Sequence, residues 1–311
     1  MEALAQLIKL QDYVSRYEWN AFRYPSQFIR LKNENWNKLI ALWEEREDLS
    51  EVKVNVETSE EHHPRWKIWK RKSKSVHDEE NIEADLYDLP DTKEELKRYF
   101  LDKLLQIQLK WATSTVTDIS FVDKQWVEDP EIRYFLQRFP DTYLFMYYPV
   151  FNIKKAPVDG EIILITPVGI EIISQIRAEK DATIIAQNQR TWIVKENDEE
   201  RKMLSPQIAL KRTEQIIKSI LNHHEVQLPI QKTVLAKENP IHFLEEPYQT
   251  KLIGMHQYES WFRQRRNISS PLKSHQLKTA EILLKHCQTT SVKRPEWEEE
   301  RDEFEFVSDE F

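Results

Sequence analysis

Apolar residues recur along this chain with two different periods, and the switches between them lay out the elements. Trp36, Leu39, Ile40 and Trp43 fall on one side of a helix, and Leu4, Leu7 and Val14 extend a looser version of that spacing toward the N-terminus, with Pro25 between the two segments. The first 50 residues therefore predict a helical region. Thr92 and Glu95 stand at capping-box spacing, and Leu96, Phe100, Leu104, Ile107 and Trp111 form the stripe of the helix that follows. Asp129-Pro130 opens a second helix with Ile132, Phe135, Leu136 and Phe139 on one face. Strand patterns follow in quick succession at 143–151, 161–166, 170–177, 183–186 and 191–194. Thr166-Pro-Val-Gly169 suits a tight type I turn, so the second and third of these strands are expected to form a hairpin.

Ser205-Pro206 is a cap and first-turn pair for a helix that turns Ala209, Thr213, Ile216, Ile217 and Ile220 inward. Strands at 232–236 and 241–244 and helices near 256–267 and 273–287 complete the pattern. The fold class expected is α/β, a mixed central sheet with an antiparallel hairpin flanked by helices, preceded by an N-terminal helical extension. The expected organisation is a helical region over 1–50, a charged linker or insertion over 51–91, an α/β domain over 92–290 and an acidic disordered tail over 291–311.

Composition narrows the chemistry. There are three glycines in 311 residues, Gly160, Gly169 and Gly254, so the clustered glycines of a phosphate-cradling loop are missing, and with them Walker-type ATPases, dinucleotide-binding Rossmann domains and glycine-loop kinases. The single cysteine, Cys287, makes neither an intramolecular disulfide nor a multi-cysteine zinc site. With no signal-peptide pattern at the N-terminus and no apolar run long enough to span a bilayer, a cytoplasmic protein without membrane contact is expected. The net charge of −8 is confined to residues 296–311, which carry nine acids and one base, so the rest of the chain is balanced. Trp297, Phe304, Phe306 and Phe311 are set among those acids, a pattern suited to docking on a protein partner.

Residues 65–74 carry six positive charges and no acid. Arg65, Trp66, Lys67, Trp69, Lys70, Arg71 and Lys72 interleave indoles with cations, the combination that grips single-stranded DNA or RNA by stacking and phosphate neutralisation. Arg263, Arg265 and Arg266 beside Trp261 and Phe262 form a second candidate of the same kind. The pairs His62-His63 and His223-His224 are adjacent in sequence, not four apart as two ligands on one helix face would be, so no zinc site is expected.

The segment from Pro157 to Ile173, with Asp159, Gly169, Trp192 and Pro206 in corresponding places and a closing strand pair at 234–243, resembles the nuclease-related domain (NERD) family, a branch of the PD-(D/E)XK nuclease fold. The resemblance spans residues 95–265. It implies a PD-(D/E)XK-like core in which Mg²⁺ sits between two carboxylates and activates water. The family's Glu-x-Lys positions fall here on Ser174, Gln175 and Ile176, so the motif is degenerate at Ser174 and Ile176. What the resemblance implies is a catalytically inactive relative, a pseudoenzyme that binds nucleic acid or protein and holds no cofactor. Two alternatives stand beside it. One is an active Mg²⁺-dependent endonuclease, with Asp159, Glu161 and Glu171 at the metal and Lys180 near the water. The other is a scaffold that recruits partners through residues 296–311.

Overall fold

A computed structural model describes residues 4–54, 82, 89–154, 156–197, 199–268 and 270–294. The basic segment at 65–74 and the acidic tail at 296–311 lie outside them. The chain begins with β1 (Gln6–Leu10), α1 (Arg16–Trp19), α2 (Arg23–Val54) and α3 (Lys93–Trp111). Next come β2 (Asp118–Ile119), α4 (Lys124–Val127), α5 (Pro130–Arg138), β3 (Leu144–Tyr147), β4 (Val150–Ile153) and β5 (Ala156–Asp159). They lead into β6 (Ile162–Thr166), β7 (Gly169–Gln175), β8 (Thr183–Ala186), β9 (Thr191–Glu196), β10 (Glu199–Leu204) and α6 (Pro206–His223). The last elements are β11 (Ile230–Leu235), β12 (Ile241–Phe243), β13 (Thr250–Ile253), α7 (Met255–Arg266), α8 (Ser274–Lys285) and β14 (Val292–Lys293).

The fold is mixed α/β, as the periodicities predict. The described chain divides into two units, one drawn from Met1–Ser26 and Gln108–Phe311, the other from Gln27–Ile107. In the smaller unit the indole of Trp36 packs 5.0 Å from the ring of Phe100, and Trp43 Nε1 donates to the Pro90 carbonyl at 2.8 Å. Thr92 and Glu95 form the anticipated cap, Glu95 N donating to Thr92 Oγ1 and the hydroxyl to Glu95 Oε2.

The larger unit is organised by a six-stranded sheet in the order β1-β3-β6-β7-β11-β13. β6 is the uninterrupted run Ile162–Thr166, buried at all five positions, which places it in the middle of the sheet with both faces covered. β6 and β7 form the expected hairpin, with Thr166 opposite Gly169. Thr166 Oγ1 closes it by accepting from the Val168 and Gly169 amides. Glycine is required at 169, because a Cβ there would stand 2.7 Å from the Pro229 carbonyl, which is itself bonded to Ile170 N. β11 runs parallel to both β7 and β13.

Two helical layers cover the sheet. On β11, Lys232 is bonded by Glu214 of α6, whereas the next residue, Thr233, is tied through Glu171 to Trp261 and Arg265 of α7. Successive side chains on a strand point to opposite faces, so α6 and α7 lie on opposite sides. α8 packs with α6, and α5 joins α7 through Tyr134 against Tyr258 and Phe139 against Trp261 and Phe262.

Several elements differ from the sequence reading. Residues 6–10 form a strand, not a helix, and β1 pairs in parallel with β3 while wholly buried. The five residues Gln6-Leu-Ile-Lys-Leu10 are too few to carry a period by which to choose between the two forms, and pairing with β3 decides. The strand expected over 143–151 is broken in two at Tyr148, whose φ of 45° ends β3. A second, four-stranded sheet, β10-β9-β8-β12, and two short ribbons, β2 with β14 and β4 with β5, replace the single sheet expected. Among the described residues no helix is long and apolar enough to cross a membrane.

Candidate active site

The parallel strands β7 and β11 end beside the entrance of β6, and polar side chains gather there from both faces of the sheet. This is the carboxyl edge of parallel strands, where α/β folds place their ligands. Glu161 stands immediately before β6 with its amide donating to Thr213 Oγ1 of α6 at 3.1 Å. Burial pushes its carboxyl above the ordinary glutamate value, while a hydrogen bond with Ser174 and the charge of Arg212 pull the other way. The β6–β7 register explains the contact with Ser174: Ile162 opposes Ile173, so the residues just outside that pair face each other. Gly160 keeps this entrance tight, since a Cβ would meet the Phe151 ring at 2.9 Å and the Pro149 carbonyl at 3.0 Å.

The other half of the cluster comes from α5 and the strand ends. Asp129 caps α5 through the Glu131 amide and also accepts the Tyr147 hydroxyl at 2.9 Å. Arg177, two residues beyond β7, reaches the same hydroxyl at 3.2 Å and Asp129 at 3.6 Å. Lys237, two residues beyond β11, bonds Glu131 Oε1 at 3.0 Å and lies over the Tyr134 ring. Glu131 Oε2 and Gln175 Oε1 are buried without a hydrogen-bond partner among the described residues. Orphaned polar atoms of this kind cost roughly 1–3 kcal/mol each and are tolerated where a site is arranged for a ligand rather than for stability.

Tyr148 joins the two halves. Its hydroxyl is pushed up to about 12, first by burial and then by the charges of Glu161, Asp129 and Glu131, against the opposing pull of Arg177. Its backbone is left-handed at φ 45°. That conformation is strained for a bulky residue and is characteristic of places where side-chain direction matters more than local ease.

The sequence candidates distribute unevenly over this arrangement. Glu161 and Ser174 are brought together. Asp159 is exposed on β5, opposite Val150 in the β4–β5 ribbon. Lys180 is exposed in the turn after β7. Ile176 is buried, with its amide on the Leu235 carbonyl. Glu171 faces α7, away from Ser174, and is saturated. It accepts from Thr233 Oγ1 at 2.6 Å, Trp261 Nε1 at 3.0 Å and Arg265 at 2.9 and 3.0 Å. Arg265 is thereby committed inward, Arg263 pairs with Glu259, and Trp261 and Phe262 are buried, so these residues do not form an interleaved surface patch.

Asp129 is named from sequence only as a helix start, and Glu131, Tyr147, Tyr148, Arg177, Arg212 and Lys237 are not named there as site residues. The one signal available was position: Arg177 ends, and Lys237 directly follows, a strand that the periodicity locates.

Mg²⁺ held by paired carboxylates does not fit these residues. Glu171 is spent on four donors on the opposite face, and no group of three or more His, Cys, Asp or Glu residues suited to a metal ion occurs among the described residues. Comparison with known proteins points elsewhere. RNA 2′,3′-cyclic phosphodiesterase of Geobacillus stearothermophilus is 34% identical over 115 residues, a stretch that covers 34% of this chain and 37% of that protein. The chain thus spans well under half the length of this relative. No family model and no solved structure matches.

These findings overturn the resemblance to the nuclease-related domain family. The PD-(D/E)XK-like assignment and the inactive-nuclease reading fall with it, as do the Mg²⁺-dependent endonuclease and the tail-recruiting scaffold offered as alternatives.

Proposed function

We propose that the chain is a phosphodiesterase acting on RNA, with 2′,3′-cyclic phosphate termini as its substrate and the Glu161 cluster as its site. The observation that carries this reading is the Glu161 carboxyl, half-buried, shifted above its ordinary value by desolvation, bonded to Ser174 and facing the charge of Arg212. The relative named for this activity supports the choice of substrate.

Opening a cyclic phosphate requires water to attack phosphorus while the bond to one ribose oxygen breaks. The water loses a proton and the leaving oxygen gains one. Two carboxyls in contrasting surroundings can divide that work. Glu161, favoured in its protonated form by burial, gives its proton to the departing ribose oxygen. Glu131, ion-paired through Oε1 to Lys237 and carrying a second oxygen with no partner among the described residues, takes the proton from water. Arg212 and Arg177 offset the negative charge that builds on the phosphoryl oxygens. The basic, tryptophan-bearing segment at 65–74 is proposed to hold the single strand. The lone, free Cys287 suits a reducing compartment, and the cytoplasm is the setting proposed.

The test is conversion of an oligoribonucleotide ending in a 2′,3′-cyclic phosphate to its phosphomonoester. Glu161→Gln should lower kcat by about 10²–10⁴-fold, the range of general acid–base catalysis, with the fold retained. Wild-type turnover by this variant, or no turnover by the wild-type chain, would refute the assignment.

A further inference from the structure

At the opposite end of α6 and β11 the surface opens into a cavity of about 750 Å³ that the proposed reaction does not use. Apolar side chains, Leu221, Leu228 and Ile230 among them, line it together with three carboxamides, Asn222, Gln227 and Gln249. Counted along α6 at 1.5 Å per residue, Asn222 stands roughly 15 Å from Arg212.

Three observations describe what this cavity is suited to hold. First, Lys218, the one cation on its lining, is bonded at 2.8 Å to Glu214, which also holds Lys232, so one acid serves two bases and the lining keeps a partial positive charge that suits hydrogen-bond acceptors. Second, Gln249 has a left-handed φ of 52°, which for a residue with a side chain costs on the order of 1 kcal/mol and persists only where surrounding contacts hold it. The Gln249 side chain lines the cavity and its Nε2 donates to the Tyr248 hydroxyl at 3.2 Å. Third, the Tyr248 ring beside it is 84% exposed, a large flat surface in water. The opposing wall is fixed: Val226 N returns to the Leu221 carbonyl and the Pro229 carbonyl accepts from Ile170 N.

A flat heterocycle with acceptor atoms along its edge answers all three. Its faces stack on a tyrosine, its edge presents alternating donors and acceptors, and a carboxamide can meet such an edge with both its groups at once, the pairing that Asn and Gln make with adenine. We infer that this cavity is a nucleobase subsite that takes a purine, stacked on Tyr248 and read by Gln249 and Asn222. The choice of a nucleobase over another flat heterocycle rests on the proposed action on RNA. A strand with its terminal phosphate at Glu161 and an upstream base here would run along α6 from Arg212 to its C-terminal end.

The experiment is a calorimetric titration of the full chain with adenosine and with uridine, which carry no phosphate and cannot report on the Glu161 site. Adenosine should bind and uridine more weakly. Gln249→Ala and Tyr248→Ala, both at exposed positions, should each weaken adenosine about 5–150-fold, the span of one good bidentate or stacking contact, at unchanged thermal midpoint. Turnover of a cyclic mononucleotide, which fills only the Glu161 cluster, should stay at the wild-type rate in both variants. Absence of adenosine binding, preference for uridine, or affinities indifferent to both substitutions overturns the subsite. Failure of hydrolysis with adenosine binding intact overturns the catalytic reading and leaves the subsite standing.

Discussion

Replacing Glu171 with alanine separates a structural carboxylate from a catalytic one. Glu171 is 4% exposed, and its partner Arg265 has a side chain 14% exposed. Two charge-assisted bonds of 2.9 and 3.0 Å join them, and Thr233 and Trp261 complete the carboxylate's coordination. Removing the acid leaves a guanidinium, an indole N–H and a hydroxyl facing a gap between sheet and helix. Breaking one side of a buried pair costs about 3–5 kcal/mol, because the remaining charge is desolvated without compensation. For a unit of this size that corresponds to a fall in thermal midpoint of roughly 6–20 °C.

Urea unfolding followed by circular dichroism should therefore show Glu171→Ala and Arg265→Ala each strongly destabilised. The apolar double replacement Glu171→Leu with Arg265→Met should recover most of the loss, since it leaves no orphaned charge. Kinetics measured at a temperature where each variant is folded should be close to wild type. A Glu171→Ala protein that costs less than about 1 kcal/mol, or one that keeps full stability but loses turnover, would refute the argument.

Glu161 predicts the opposite pattern. Its folded-state value is raised, so its favourable contribution is complete below the ordinary carboxylate range and is lost as pH climbs through the raised value. Glu161→Gln should then gain stability relative to wild type as pH rises from 4 to 8 in urea titrations, and a gap that does not widen with pH would contradict the burial assigned to this carboxyl. Gly169→Ala forces a methyl to within 2.7 Å of the Pro229 carbonyl and should destabilise by about 1–3 kcal/mol, read as a lower urea midpoint; an unchanged midpoint would mean the β7–β11 junction yields more readily than its hydrogen bond suggests. Neutralising Lys70, Arg71 and Lys72 together should reduce affinity for single-stranded RNA and flatten the logarithmic salt dependence by about 2, three phosphate contacts' worth, and an unaltered slope would remove this segment from the RNA contact.

How much of this was legible beforehand depends on the range of the interactions involved. Local chemistry was readable. The Thr92–Glu95 cap, the Asp129-Pro130 and Ser205-Pro206 helix starts and the turn around Gly169 are each decided within a few residues, and each is present in the structure. The α/β class followed from the succession of helical and strand periods. β1 was not readable, because so short a segment adopts whichever form its neighbours complete, and its neighbour β3 lies well over a hundred residues away.

The candidate site divides along the same line. Glu161 and Ser174 could be named from sequence as hairpin positions, but not their environment. Whether a carboxylate ends up saturated, as Glu171 is by α7, or half-buried and shifted upward, as Glu161 is beside α6, is set by which helix closes over which face of the sheet. Residue order along a strand specifies the alternation of faces; only the packed structure assigns each face its cover. For the same reason Asp129, Tyr148, Arg177 and Lys237 stand apart in the chain and together in the molecule: the carboxyl ends of β7 and β11, the start of α5 and the break after β3 share one edge once the sheet has assembled.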